Sequence, residues 1–406
     1  MYFQLAWRNI WRNPRRTFVI ISAVVIGVWS MVFLSAFSHG MLASMLDNGK
    51  SVLIGDIQIH NKKYRIDPSI DNSMDNPDKI RAVLDKTLPQ GAVLTERIKV
   101  STYVSNARHS TGAVLVGIDP ENEKKISFLG KSITKGEYLD KKDMRGILVG
   151  KALLEKFDTA IGKKLIIMAR DKKGKVASKA FRIRGVFNAE MEATEKQFLF
   201  ITMTGARKLL NMEKGISEIS IVLNSEPMVE KTAAEIKNRL DTELFAVETW
   251  KDLLPMLKAY VEIFNGFMYI WYVVVFVAMG FGIVNTSLMA VFERVREFGL
   301  LRALGLKPWP VIRSVLTESI FILLIGIIAG NLLGYVSVLL MKDNGLDLAM
   351  FGKGSEFFGM SRVIYPILTM FDVMNVNLVI FFLGAVVSLY PAFRASRITP
   401  VEAMRQ

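Results

Sequence analysis

NTSLMAVFERVREFGLLRALGLKPWPVIR, residues 285–313, decides how the whole chain is read. To its left an uncharged apolar run extends from Ile263 to Phe292, and to its right another runs from Ser319 to Met341. Each is long enough to cross a bilayer, because about 20 helical residues at about 1.5 Å rise cover about 30 Å of hydrocarbon. Between them Arg294, Arg296, Arg302, Lys307 and Arg313 outnumber Glu293 and Glu297, and a positive excess of this kind marks a cytoplasmic loop. From Glu293 to Leu304 the residues favour a helix, Gly299 apart, and Gly305 with Pro308 supplies a stop. Two spans joined by a short charged cytoplasmic helix, residues 293–313, make a shape that a soluble partner can grip.

Working outward, the 406 residues carry a formal net charge of +14 and are 51% apolar, with the apolar residues gathered in a few blocks. Cysteine is absent, which excludes a disulfide framework and a thiolate metal site. The basic residues form no patch interleaved with aromatic platforms, so nucleic acid is not an expected partner. No GxxxxGK[ST] loop occurs, so no ATP or Mg site, and no other cofactor, is expected in this chain itself. His39, His60 and His109 lack ligand spacing and read as surface or boundary residues, not as a metal site. No catalytic constellation is present, and the chain is not expected to be an enzyme.

Residues 1–16, MYFQLAWRNIWRNPRR, read as an amphipathic helix ended by Pro14, with Phe3, Ala6, Trp7, Ile10 and Trp11 on one side and Gln4, Arg8 and Arg12 on the other. Indoles favour the headgroup boundary and arginines the anionic inner leaflet, so this helix is expected to lie in the interface. Residues 17–39 form the first span, too long for a signal-peptide core. Residues 40–260 then alternate strand and helix patterns, which predicts an α+β domain with mixed sheets outside the membrane. Strands are expected at Val52–His60, Gly112–Asp119, Gly146–Gly150, Lys163–Ala169, Ala180–Phe187, Gln197–Met203, Glu218–Leu223 and Leu244–Glu248. Trp250–Tyr260 is expected to run as one helix into the second span, 261–292. The third span, 314–341, carries Gly326, Gly330 and Gly334, a small-residue face for close helix packing. An outer loop, 342–372, leads to the fourth span, 373–393, and a cytoplasmic tail, 394–406. The fold class is thus a membrane protein of four transmembrane α-helices with a large extracytoplasmic α+β domain between helices 1 and 2.

The run ER-x-RE-F-G-L-L-R-A-L-G resembles the coupling segment of ABC permeases of the lipoprotein-releasing and macrolide-exporter kind. Glu293, Arg294, Glu297, Gly299, Arg302, Ala303 and Gly305 match the family pattern, and Phe298 stands where Ile is usual. The L-A-x-RN pattern at Leu5–Asn9, VGIDPE and GILVGKAL in the outer domain, and YPAFRASRITPVEAMR at the C-terminus extend the resemblance over nearly all of the chain. It implies that Glu293, Arg294, Arg296, Glu297, Phe298, Gly299, Arg302, Ala303 and Gly305 dock on an ATPase subunit. Trp7, Arg8, Trp11 and Arg12 would form the interfacial elbow.

The function this implies is a permease that couples ATP hydrolysis on a separate ATPase dimer to motion of the periplasmic domain, for lipoprotein release or export of a hydrophobic cargo. GDIQI at Gly55–Ile59 with Tyr64 is similar to the lipoprotein-releasing branch. One alternative is a non-transporting signal transducer that activates a periplasmic partner. Another is a macrolide- or peptide-type efflux permease, in which the ATPase is usually fused ahead of the first span. The expected setting is the bacterial inner membrane with both termini cytoplasmic. Expected partners are the ATPase dimer, a second permease as homo- or heterodimer, and a periplasmic carrier. In the lipoprotein-releasing branch a hook between two strands grasps that carrier. Here that place is a short polar turn in which Lys172, Lys173 and Lys175 are the candidate contacts. Glu318 is expected to stay near the interface in a structural or coupling role, and Asn285, Thr286 and Ser287 to hydrogen-bond across helices.

Overall fold

The computed structural model describes residues 2–348, Ser361 and 363–398. In chain order come α1 (Tyr2–Ile10), α2 (Pro14–Ser51), β1 (Ile57–Asn61), α3 (Asp78–Thr87), β2 (Val93–Ser105) and β3 (Ser110–Ile118). Then follow α4 (Pro120–Ile126), α5 (Leu129–Ser132), β4 (Ile133–Gly136), β5 (Gly146–Gly150), α6 (Lys151–Lys156), β6 (Lys164–Arg170) and β7 (Val176–Phe187). Next are α7 (Glu192–Gln197), β8 (Phe198–Thr202), α8 (Met203–Leu210), β9 (Glu218–Val222), α9 (Met228–Arg239), β10 (Phe245–Thr249) and α10 (Trp250–Leu253). The chain continues with α11 (Pro255–Glu293), α12 (Val295–Ala303), α13 (Pro308–Met341), β11 (Leu346–Asp347), β12 (Val363–Ile364) and α14 (Met370–Ser396). Two compact units result. One holds the described residues up to Ala43, Val261–Asp347 and those from Val363 on; the other is built on Ser44–Tyr260.

In the first unit α2, α11, α13 and α14 are long and apolar enough to cross a membrane. Their shared core includes Val24, Val28 and Val32 of α2, Phe264, Tyr272 and Met279 of α11, Leu323 of α13, and Val376 and Ile380 of α14. A Cβ added to Gly326, Gly330 or Gly334 would lie 2.5, 2.6 or 2.7 Å from a side-chain atom of Val24, Val28 or Val32 respectively. The absence of a side chain at this spacing is what lets α13 approach α2 so closely. Asn331 and Asn377 pair their side-chain amides between α13 and α14, with Asn331 donating to Asn377 at 2.8 Å. Thr286 does not bridge helices as expected: its hydroxyl donates back to Gly282 O of its own helix at 2.8 Å.

Several boundaries differ from the sequence reading. Pro14 opens α2 and does not end the elbow helix, which stops at Ile10, so Trp11 and Arg12 lie in the turn that follows. Proline has no N–H to lose at a first helical turn, where that donor has no partner anyway. Helix α2 also continues past residue 39 to Ser51. Helix α12 ends at Ala303, and 308–313 belong to α13, because Gly305 at φ +89 turns the chain before the prolines. Residues 250–260 are not one helix: a Thr249–Asp252 capping box starts α10, Leu254 breaks it at φ −119, ψ 66, and Pro255 begins α11. Helix α14 starts at Met370, three residues before the expected start of the fourth span at 373. Positions 349–360 of that loop, and the tail from 399 on with Pro400, Glu402 and Arg405 of the C-terminal pattern, lie outside the described residues.

The second unit is a mixed sheet of ten strands. Strand β6 pairs with both β2 and β7, so β2, β3, β8, β5, β7 and β6 close into a ring. Alternate residues of these strands point inward (Val100 and Val104, Ala113 and Leu115, Ile147 and Val149, Leu165 and Ile167, Phe181 and Ile183, Leu199 and Ile201) and form one core with Ala206, Leu209 and Leu210 of α8. Strands β9, β1 and β10 extend the sheet from β2, and β4 extends it from β7. The expected strand from Val52 begins only at Ile57, because Leu53 and Gly55 take positive φ and turn the chain on leaving α2.

Candidate functional site

The segment between the second and third spans folds as its residues dictate. Helix α11 ends at Glu293, Arg294 leaves helical geometry (φ −111, ψ 17), and α12 follows at once. Val295, Phe298 and Gly299 turn inward. Phe298 packs with Val291 of α11, Val311, Ile312 and Val315 of α13, and Ala392 and Ala395 of α14. Gly299 is buried on the same face. At the far end Gly305 and Leu306 donate to Arg302 O and Leu301 O, which closes the helix.

The opposite face is apolar as well. Leu300 is 63% exposed, Leu301 41% and Leu304 77%, flanked by exposed Arg296, Ala303 and Gly305. The sequence reading assigned docking to Glu293, Arg294, Arg296, Glu297, Phe298, Gly299, Arg302, Ala303 and Gly305, of which Phe298 and Gly299 are buried, and these three leucines were not among them.

Several of the charges are paired within this unit. Arg12 reaches Glu297 at 2.5 Å, and Arg294 reaches the same carboxylate at 3.0 Å. Arg294 also pairs with Glu318 of α13 at 3.1 Å and lies over the Phe298 ring, 5.0 Å from its centroid. Arg16, in the first turn of α2, pairs with Glu293 at 3.0 Å, and Asn13 donates to the same carboxylate. Partial burial pushes the Glu297 carboxyl up, but hydrogen bonds from Arg12 and Arg294 outweigh it and hold it below the usual carboxylate range. Arg302 donates to Leu306 O at 3.0 Å and so braces the turn.

In the elbow, Ala6 and Ile10 are buried, whereas Trp7, Arg8, Trp11 and Arg12 are exposed. The expected apolar side is therefore split: small and aliphatic residues pack inward, and the indoles, edge to face at 5.9 Å, turn outward. Trp7 also meets Phe321 of α13 edge-on at 6.2 Å. The side chain of Phe3 lies outside the described residues.

In the second unit, the turn between β6 and β7 is held down. Lys172 is ion-paired with Asp75 and donates to Ser73 at 3.0 Å, and Arg170 pairs with Asp71 at 3.3 Å. Lys173 and Lys175 are exposed. His60 is buried, contrary to expectation, and pairs with Glu248 at 2.9 Å. His39 pairs with Asp372 at 3.3 Å.

Residues 17–239 match the MacB-like periplasmic core domain, and residues 269–400 match the FtsX-like permease C-terminal domain. The chain belongs to the MacB- and FtsX-like family of ABC transporter permeases. The permease is 23% identical over 343 residues to the lipoprotein-releasing system transmembrane protein LolC of Xylella fastidiosa, covering 79% of each chain. It is 22% identical over 411 residues to an uncharacterised ABC transporter permease of Methanocaldococcus jannaschii, covering 98% of this chain and 96% of the other. With the macrolide export ATP-binding/permease protein MacB of Campylobacter jejuni it shares 21% over 431 residues, 99% of this chain and 61% of that one. The second unit is accordingly the periplasmic domain, and the permease is a multi-pass inner-membrane protein.

Proposed function

We propose that this permease receives the motion of a separate ATPase dimer on α12 and passes it to the periplasmic domain, driving lipoprotein release. The observation that carries this is the ridge of Leu300, Leu301 and Leu304 on a helix whose other face is packed between spans. Three exposed leucines outside the apolar spans are a partner surface in waiting. Four spans are few for a passage, so a second permease pairs with this one. Both termini are cytoplasmic, in line with Arg8, Arg12, Arg15 and Arg16 and the basic 293–313 loop.

The cargo assignment follows the LolC relative. The MacB relative supports a second reading, export of a hydrophobic compound, and the tied-down β6–β7 turn favours it because nothing there projects as a carrier hook. In reconstituted permease–ATPase complexes, Leu304→Asp is expected to abolish permease-dependent stimulation of ATP hydrolysis while the protein still folds. Unchanged stimulation would sink the docking assignment. Release of a fluorescent lipoprotein from proteoliposomes, against efflux of a hydrophobic dye, decides the cargo. For orientation, the exposed positions Lys173 and Arg397 suit introduced cysteines. In spheroplasts only Lys173→Cys should react with an impermeant maleimide.

A further inference from the structure

Three of the charged residues that mark the coupling segment in sequence, Glu293, Arg294 and Glu297, are ion-paired within the chain. Arg12 and Arg16 come from the elbow turn and the start of α2, Glu293, Arg294 and Glu297 from the α11–α12 junction, and Glu318 from α13. The side chains of Arg16, Arg294 and Glu318 are each largely shielded from solvent. Ion pairs so placed are screened less by salt and water than surface pairs. Arg294 is also the residue at which the helix breaks, so its grip on Glu318 and Glu297 fixes how α12 leaves α11.

We propose that these pairs form a latch that makes the elbow, the start of the first span and the third span move together with α12. Arg12, Arg16, Glu293, Arg294, Glu297 and Glu318 are positioning residues on this view, and the leucine ridge alone meets the ATPase. The latch rests on the coupling function proposed above and adds to it how one pull on α12 reaches the elbow and the first and third spans at once. A docking role for Glu293 or Glu297 makes the opposite prediction, because their effects would then be independent of Arg16 and Arg12.

The test uses the full permease with its ATPase. Arg16→Glu and Glu293→Arg should each lower the stimulation of ATP hydrolysis about tenfold, an effect within the usual range for interacting pairs, and the double exchange should restore most of it. Arg12→Gln and Glu297→Gln should be non-additive, the double variant being no worse than the poorer single one. Additive losses, or no rescue by the exchange, overturn the latch. A second measurement does not need ATPase activity. The chain has no cysteine of its own, so Arg12→Cys with Glu297→Cys is a clean pair for a short thiol crosslinker in native membranes. The latch requires an intramolecular crosslink with and without ATP and vanadate. No crosslink in either state, or one that abolishes stimulation, refutes it. Absence of stimulation in the unmodified complex would instead count against the coupling function, with the crosslink still reporting on the latch.

Discussion

Arg97 and Glu123 face each other at 2.8 Å with no solvent reaching either side chain. Arg97 donates to both carboxylate oxygens of Glu123, to Glu218 at 3.2 Å and to Leu53 O at 2.6 Å. Burial alone would lower the Arg97 pKa, but Glu123 and Glu218 reverse that and raise it. The carbonyl of Leu53 belongs to the strained turn that leaves α2, so one guanidinium ties that turn to β2, α4 and β9. Arg97→Met should cost about 3–5 kcal/mol, because it leaves the buried Glu123 carboxylate without a counter-charge, whereas Glu218 keeps Lys99. Thermal melts of the purified permease check this, and adding Glu123→Gln should recover part of the loss.

The same cluster explains what the sequence hid. Strand β2, at 13 residues the longest in the sheet, was not among the expected strands. Its TERIK segment places Glu96, Arg97 and Lys99 where a half-buried strand would alternate, and only their partners on other elements make them compatible with burial. The spans were legible because length and hydropathy suffice for them. The close approach of α13 was legible from Gly326, Gly330 and Gly334, although not its partner valines on α2. In α12 apolar residues lie all round the helix, so no periodicity told Phe298, which packs, from Leu304, which does not. Charged residues in a family motif suggested a surface, whereas tertiary pairing with Glu297 and Glu318 draws Arg294 largely out of solvent.

Gly330 differs from the other two glycines in that a Cβ there would also meet backbone, Val25 O at 2.9 Å. That neighbour is backbone and cannot swing aside. Gly330→Leu should therefore separate α13 from α2 and destabilise by several kcal/mol, in the range of about 1–3 or more for overpacking. Gly330→Ala with Val28→Ala should be milder than Gly330→Ala alone. Detergent thermal-shift measurements on the three variants decide it.

His60 sets a pH dependence at the β1–β10 edge. Burial lowers its pKa, but the hydrogen bond and charge of Glu248 outweigh this and raise it above 6.5. The hydrogen bond from His60 is the leading cause that lowers Glu248 below 4.5, with Arg65 adding to it. A raised histidine contributes stability that is full below its unfolded value and fades as pH climbs through the folded one. A lowered carboxylate contributes stability above its unfolded value, lost as pH falls through the folded one. The pair thus stabilises most between about 4.5 and 6.5. The stability difference between the native protein and His60→Gln should be largest near pH 5.5 and shrink toward pH 9. A difference that grows with pH would contradict the pairing.

Lys50, at the end of α2, joins groups that otherwise stand apart in sequence. Its ammonium contacts Asp56 at 3.0 Å, pairs with Glu226 and lies over the Trp250 ring, 5.1 Å from the centroid. Trp250 donates its indole N–H to Glu226 at 2.7 Å and its backbone N–H to Asp56 O at 3.0 Å. The last turn of α2 and the start of α10 are therefore clasped through one cation. Lys50→Met keeps the aliphatic stem but leaves the mostly buried Asp56 carboxylate with backbone partners only, at a cost of about 1–3 kcal/mol. The rest of the sheet should hold, so the loss should appear as faster amide exchange confined to residues 50–56 and 250–254. In the reconstituted complex Lys50→Met should retain stimulated ATP hydrolysis and lose cargo release, because the α12 surface is untouched while the clasp between the last turn of α2 and α10 slackens. Leu304→Asp, by contrast, should lose both. Equal loss of hydrolysis and release in Lys50→Met would show that the clasp serves folding and not transmission.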